Sequence, residues 1–201
     1  MKKFELTTES ITFLGRTLFR IKALISFGNV KAGELGGYIE KEGNLSHEGN
    51  AWVCGDARVC GNAEVYGDAE VCDNAEVYGD AEVCDNAWVC GDARVCGDAR
   101  VCGNAEVYGD AEVCDNAEVY GDAEVYGDAD IATISGFGSE YRTTTFFRTK
   151  NDEIAVKCGC FYGTLAEFRE KVKETHGDNR YAKEYLMIAD LMEMHFRGEE
   201  E

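Results

Sequence analysis

The chain has 201 residues, 45% of them hydrophobic and none of them proline, enough for a sizeable core in one or two domains. Its formal net charge of −19 argues against a basic nucleic-acid-binding protein and against an anionic membrane surface as partner. Residues 1–48 are nearly balanced, whereas residues 49–138 set twenty Asp and Glu against Arg58, Arg94 and Arg100.

Lys2 and Lys3 precede no apolar run of signal-peptide length, and Arg16, Arg20 and Lys22 interrupt Ile11–Phe27. Neither a secretory signal nor a membrane span is expected, which favours the cytoplasm and ten cysteines held as reduced thiols. Residues 4–27 read as strands, with a tight turn at Gly15-Arg16 between Ile11–Leu14 and Thr17–Ala23. We take residues 1–42 as an N-terminal β cap, 43–138 as a repeat domain and 139–201 as a C-terminal cap.

From Gly49 to Ala132 the chain is fourteen uninterrupted six-residue repeats, beginning GNAWVC GDARVC GNAEVY. Position one is Gly, or Asp at Asp73, Asp85 and Asp115; position two is Asp or Asn; position three is always Ala; position five is Val until Ile131. Ala and Val two apart face the same way in an extended strand, and the Gly/Asp–Asn/Asp pair tolerates the left-handed backbone of a corner. One short strand per repeat buries nothing alone, so the chain must coil to enclose its Val and Ala. An α-helix would not keep period six on one stripe and would be weakened by Gly in most repeats.

These repeats resemble the hexapeptide-repeat, left-handed parallel β-helix family, whose aliphatic-then-small spacing is matched by Val53…Ala57 and each later pair. The resemblance implies a mainly β fold: a left-handed coil of three sides, with residues eighteen apart stacked and about five triangular coils. That estimate counts Thr133–Gly138, with Ser135 and Phe137 in register, as a fifteenth side. The flanks resemble uncharacterised hexapeptide-repeat proteins of bacteria and phages, which implies a prophage-like origin.

After the repeats, Thr143–Lys150 and Glu153–Phe161 read as a hairpin around Asn151-Asp152. Thr164 and Glu167 form a capping box opening a helix to about His176, stopped by Gly177. Asn179 or Asp178 can cap a second helix to about Phe196, with an apolar stripe of Tyr181, Tyr185, Ile188 and Met192. The C-terminal cap is thus a hairpin plus two helices.

Many relatives of this fold are acyltransferases with a catalytic His on the coils and a basic site for an anionic acyl carrier. Here His47 is the one His near the repeats, and three Arg do not offset twenty carboxylates. In register, His47 falls in the inward slot that Val takes elsewhere, a structural position. Cys54, Cys72 and Cys90 share a column, as do Cys84 and Cys102, and Cys96 and Cys114. Stacked strands about 4.8 Å apart fall within the disulfide window, yet parallel Cβ vectors fit the bond poorly, so these thiols read as packing. Asp92, Asp110 and Asp128 share a corner column that could hold calcium, although turn chemistry explains the same residues. No cofactor is expected.

Position four runs Arg58, Glu76, Arg94, Glu112, Asp130 in one column, an expected ion-pair ladder. A second runs Trp52, Glu70, Trp88, Glu106, Glu124; the third, Glu64, Glu82, Arg100, Glu118, has the least internal neutralisation. These Glu and Trp residues are the candidate binding residues. Residues 53–83 recur identically at 95–125, seven sides on, so the copies face different ways. That suits a collective surface better than a pocket. The reading is a non-enzymatic acidic solenoid that binds a basic protein by nucleic-acid-like charge mimicry, as a phage-encoded inhibitor would. Direct nucleic-acid binding is not expected, and a homodimer or homotrimer is compatible. The alternatives are an acyltransferase and a structural or oligomerisation module.

Overall fold

In the computed structural model, which describes residues 1–197, the chain is a parallel β-solenoid closed at both ends by antiparallel strands, with two helices beyond the second closure. From Trp52 to Val125, thirteen two-residue rungs recur every six residues, each formed by positions four and five of a repeat. Val53 lies beside Val71, Val59 beside Val77 and Val65 beside Val83, all eighteen apart, so three sides make one coil. The tallest face has five rungs.

Position one turns each corner. Its residue has positive φ in thirteen of the fourteen repeats, including Asp73 at 57°, Asp85 at 59° and Asp115 at 62°. A Cβ on Gly97 would lie 2.9 Å from the Cα of Asp115 in the coil above, so these columns hold mostly Gly. All thirteen repeat valines and the alanines from Ala51 to Ala123 are buried in one continuous core.

The last repeat departs from the pattern. Gly127 is extended, a short turn follows at Asp128–Asp130, and Ala129 is exposed. The expected fifteenth side does not form: β4 (Ile131–Ile134) leaves the stack to pair antiparallel with β5 (Thr144–Arg148), and Ser135 and Phe137 are exposed. The additional stacked residues lie at the other end. There β1 (Phe4–Phe13) and β2 (Arg16–Ala23) form a hairpin, and β3 (Leu35–Ile39) seats Ile39 beneath Val59. Leu45 bridges to Val65 and takes the inward slot, which corrects the placement of His47 there. The register is two residues off the repeat because Leu45, not His47, is the aliphatic side chain available.

Parallel stacking gives the rod a polarity. The N–H groups of positions two, four and six donate upward, as Trp52 N does to Ala69 O at 2.9 Å, so the lower end presents unpaired carbonyls. Three different devices satisfy them. Tyr38 N donates to Ala57 O at 2.8 Å. Asn44 Nδ2 donates to Ala63 O at 2.8 Å and to Gly61 O at 3.2 Å. Lys3 Nζ donates to Ala51 O at 2.8 Å and Gly49 O at 3.4 Å.

Burial pushes the Lys3 ammonium down from 10.5 to about 8, with Asp68 opposing. Between those values the unfolded chain binds the proton and the folded chain does not, so stability should rise with pH across that window. Denaturant midpoints measured below pH 8 and near pH 10 should show this gain in the wild type and lose it in Lys3→Met.

At the upper end the orphan groups are N–H donors, and Glu118 N is received by Thr145 Oγ1 at 3.0 Å. β5 continues through β6 (Ile154–Cys158) to β7 (Phe161–Thr164), a third strand beyond the expected hairpin. Phe147 on β5 enters the solenoid core, while its neighbour Phe146 enters a second core under the helices. Thr164 caps α1 (Leu165–His176) with Glu167 as expected, and Asn179 Oδ1 accepts Ala182 N at the start of α2 (Arg180–Arg197). Tyr185, Ile188 and Met192 are buried against α1 and β5. None of the described helices is long and apolar enough to cross a membrane.

Candidate binding faces of the solenoid

Each face of the rod displays one column of position-four side chains. On the arginine face, Arg58 pairs with Glu76 at 2.9 Å, and Arg94 pairs with Glu76 at 3.4 Å and with Glu112 at 3.0 Å. The expected ladder forms, except that Asp130 turns away to Arg148 at 3.0 Å.

The glutamate face does not stay unneutralised. Arg100 pairs with Glu82 at 3.0 Å, Tyr66 OH donates to Glu82 at 2.9 Å, and Lys157 from β6 reaches Glu118 at 2.9 Å. Of Glu64, Glu82 and Glu118, only Glu64 lacks an ion pair among the described residues. The column hides this because the C-terminal sheet supplies one cation and Tyr66 reaches across from a neighbouring slot.

The tryptophan face divides in two. Trp52 is buried under Phe4 and Phe27, whose rings lie 6.5 and 5.4 Å from it, so its indole is covered at the surface. Trp88, two coils higher, is 42% exposed, and its indole N–H donates to Cys72 Sγ at 2.9 Å. Glu70 lies between the two in register and forms no ion pair among the described residues. Glu106 is bound by Lys150. Glu124 accepts from Tyr126 and Tyr108, which hold its carboxyl below the usual range. Asp68, Glu70, Asn86, Trp88, Glu106 and Lys150 line a groove of about 460 Å³ on this face.

The corners carry the remaining acidity. Asn side chains donate one coil upward, Asn50 to Asp68 at 2.9 Å, Asn62 to Asp80 at 2.9 Å and Asn74 to Asp92 at 3.1 Å. Asp73 and Asp85 accept the N–H of Gly91 and Gly103 above them. Of the corner column weighed for calcium, Asp92 accepts from Asn74, and the Asp128 side chain lies outside the described residues. Among the described position-two aspartates, ion pairing is confined to Asp56, 3.8 Å from Arg20. The carboxylates without an ion pair among the described residues include Glu64 and Glu70 on the faces, where the sequence led us to expect the free charge, and most position-two aspartates along the edges. Asn50, Asn62 and Asn74, each one coil beneath an Asp, were the available signal.

His47 is a bracket. Its Nδ1 accepts the backbone N–H of Lys3 at 3.2 Å, its ring stacks on Phe4 at 4.3 Å, and its Nε2 lies 3.6 Å from Glu42.

The expectation of ten reduced thiols is overturned for four of them. Cys84–Cys102 and Cys96–Cys114 are disulfides, because identical slots in consecutive coils bring their Cα atoms to 4.7 and 4.5 Å. Cys84, Asp85 and Cys102 form the one metal-like cluster among the described residues, but its sulfurs are bonded to each other. Hydrogen bonds from Cys54 and then from Trp88 hold the Cys72 thiol below its ordinary range, whereas burial lifts Cys90 to about 11. Alkylation of the denatured, unreduced protein should label six cysteines, and labelling after reduction should reach ten. Ten without reduction would show that the two bonds are absent.

No protein-family model matches the chain, and no curated protein matches it.

Proposed function

We propose that this is a non-enzymatic binding protein whose acidic solenoid engages a basic protein partner. The observation that carries the reading is the set of aspartates along the corners, which, Asp56 apart, form no ion pair among the described residues, on a rod whose faces are largely neutralised. Carboxylates repeated about every 4.8 Å along straight edges present a basic groove with a charge lattice resembling a nucleic-acid backbone. A phage- or prophage-encoded inhibitor of a nucleic-acid-handling protein, working in the cytoplasm, is the setting that suits it. The resemblance to hexapeptide-repeat proteins supplies the architecture of this reading and no activity.

Binding should then be electrostatic and distributed. Affinity for a mixed Lys/Arg peptide, or for a partner captured from the native host, should fall steeply towards physiological salt, where exposed charges are screened beyond about 8 Å. Replacing Asp92, Asp98 and Asp110 with Asn should weaken binding more than replacing Glu64, Glu82 and Glu118 with Gln, since two of those glutamates are already paired. Affinity indifferent to salt and to both triple changes would move the function to the C-terminal helices.

A further inference from the structure

The protein contains its own comparison for the exposed tryptophan. Residues 50–61 and 86–97 are the same twelve amino acids, NAWVCGDARVCG, and lie on the same faces two coils apart. In the lower copy, Phe4 and Phe27 close over Trp52, and Lys3 Nζ sits 4.8 Å from the Phe27 ring while bonding to Ala51 O. At the upper end of the same face, Lys150 binds Glu106, and its backbone N–H donates to Asp122 O. The chain thus places a lysine of its own at each end of this face. Between them Trp88 is 42% exposed, and Glu70, on the adjacent rung, has no ion pair among the described residues.

We propose that the groove around Trp88 seats an arginine side chain of the basic partner, with the guanidinium stacked on the indole and bonded to Glu70. The proposal rests on the reading of the rod as an acidic binding module and names its anchor. Adjacent rungs stand about 4.8 Å apart, so a planar cation over the indole falls within reach of the Glu70 carboxylate. Arginine suits this geometry better than lysine because its guanidinium offers both a stacking face and a fork of donors. Glu106 does not compete for the cation, because Lys150 holds it. On the corner side of the groove Asn86 donates to Asn104 Oδ1 at 3.2 Å and Asn104 donates to Asp122 at 3.0 Å, which leaves the Asn86 amide oxygen to accept from the partner's backbone. A buried aromatic–arginine contact ringed by weaker polar contacts is how most interfaces concentrate their affinity.

The test uses the full-length protein with oligo-arginine and oligo-lysine peptides of equal length at low salt. Trp52 is buried, so quenching of the exposed indole emission reports on Trp88. Oligo-arginine should quench it and bind more tightly than oligo-lysine. Trp88→Leu should lower the arginine-peptide affinity about tenfold and Glu70→Gln about fivefold, while Trp88→Phe keeps a ring and most of the binding. Glu5→Gln removes an exposed carboxylate of the N-terminal hairpin and should change affinity less than about twofold. Equal effects of Glu70→Gln and Glu5→Gln, with Trp88→Leu unaffected and peptide binding still salt-sensitive, would overturn the seat and leave the acidic-rod reading standing. Absence of peptide binding by the wild type at low salt would overturn both. Self-association that depends on Trp88, with peptide binding unchanged, would make a second copy the occupant and overturn the arginine seat.

Discussion

Replacing Phe147 with alanine should destabilise the solenoid by roughly 3–5 kcal/mol, the range for deleting a buried ring from a packed core. Phe147 is fully buried, aligned with Ile131 on one side and Ala155 on the other, and it closes the upper mouth of the Val/Ala column. The last coil has no coil above it to cover its valines, so the ring replaces the missing layer. Phe146, one residue earlier, offers an internal control. It is equally buried but packs against Phe168 at 6.1 Å in the helical core. Circular dichroism during urea unfolding should separate them: Phe147→Ala moves the β transition, whereas Phe146→Ala first loses the helical signal. Identical single transitions for both variants would show that the two cores unfold as one.

Asn44 should be the costliest polar residue to replace. It is fully buried, its Nδ2 serves Gly61 O and Ala63 O, and its Oδ1 accepts the Lys41 N–H at 3.0 Å. Asn44→Ala leaves those groups short of partners at roughly 1–3 kcal/mol each, although the space released admits water. Asn44→Leu fills that space, keeps water out and should be worse than alanine. We expect a loss of about 3 kcal/mol for alanine and more for leucine, read from denaturant midpoints. Leucine as stable as wild type would mean that the lower carbonyl edge needs no donor on this face.

These two residues also mark the limit of what the sequence makes legible. The period of six established the coil, because Ala at position three and Val at position five have one way to be buried together. The alternation of Arg58, Glu76, Arg94 and Glu112 likewise announced its ladder, since neighbours eighteen apart are fixed by the period. Contacts that depend on how the flanks fold back carry no such signal. Lys157 reaching Glu118, and Lys3 reaching Ala51, join residues whose separation follows no repeat. Trp52 and Trp88 make the point most directly: twelve identical residues give one buried and one exposed indole, because the difference lies in residues 3–27. The cysteine columns were legible as neighbours, but adjacency alone did not tell a thiol contact from a bond.

A coil of three sides means that one added hexapeptide lengthens the rod by a third of a rung spacing, about 1.6 Å, and advances the chain by a third of a turn. Length barely changes, but the C-terminal sheet and helices are re-aimed about the rod axis relative to the N-terminal hairpin. The internal duplication spans seven sides, two full turns plus one side. Gain or loss of repeats therefore works as an indexing mechanism with three stops. A partner that touches both ends of the rod would sense repeat number as an angle, and only changes by multiples of eighteen residues would preserve the alignment of the two ends.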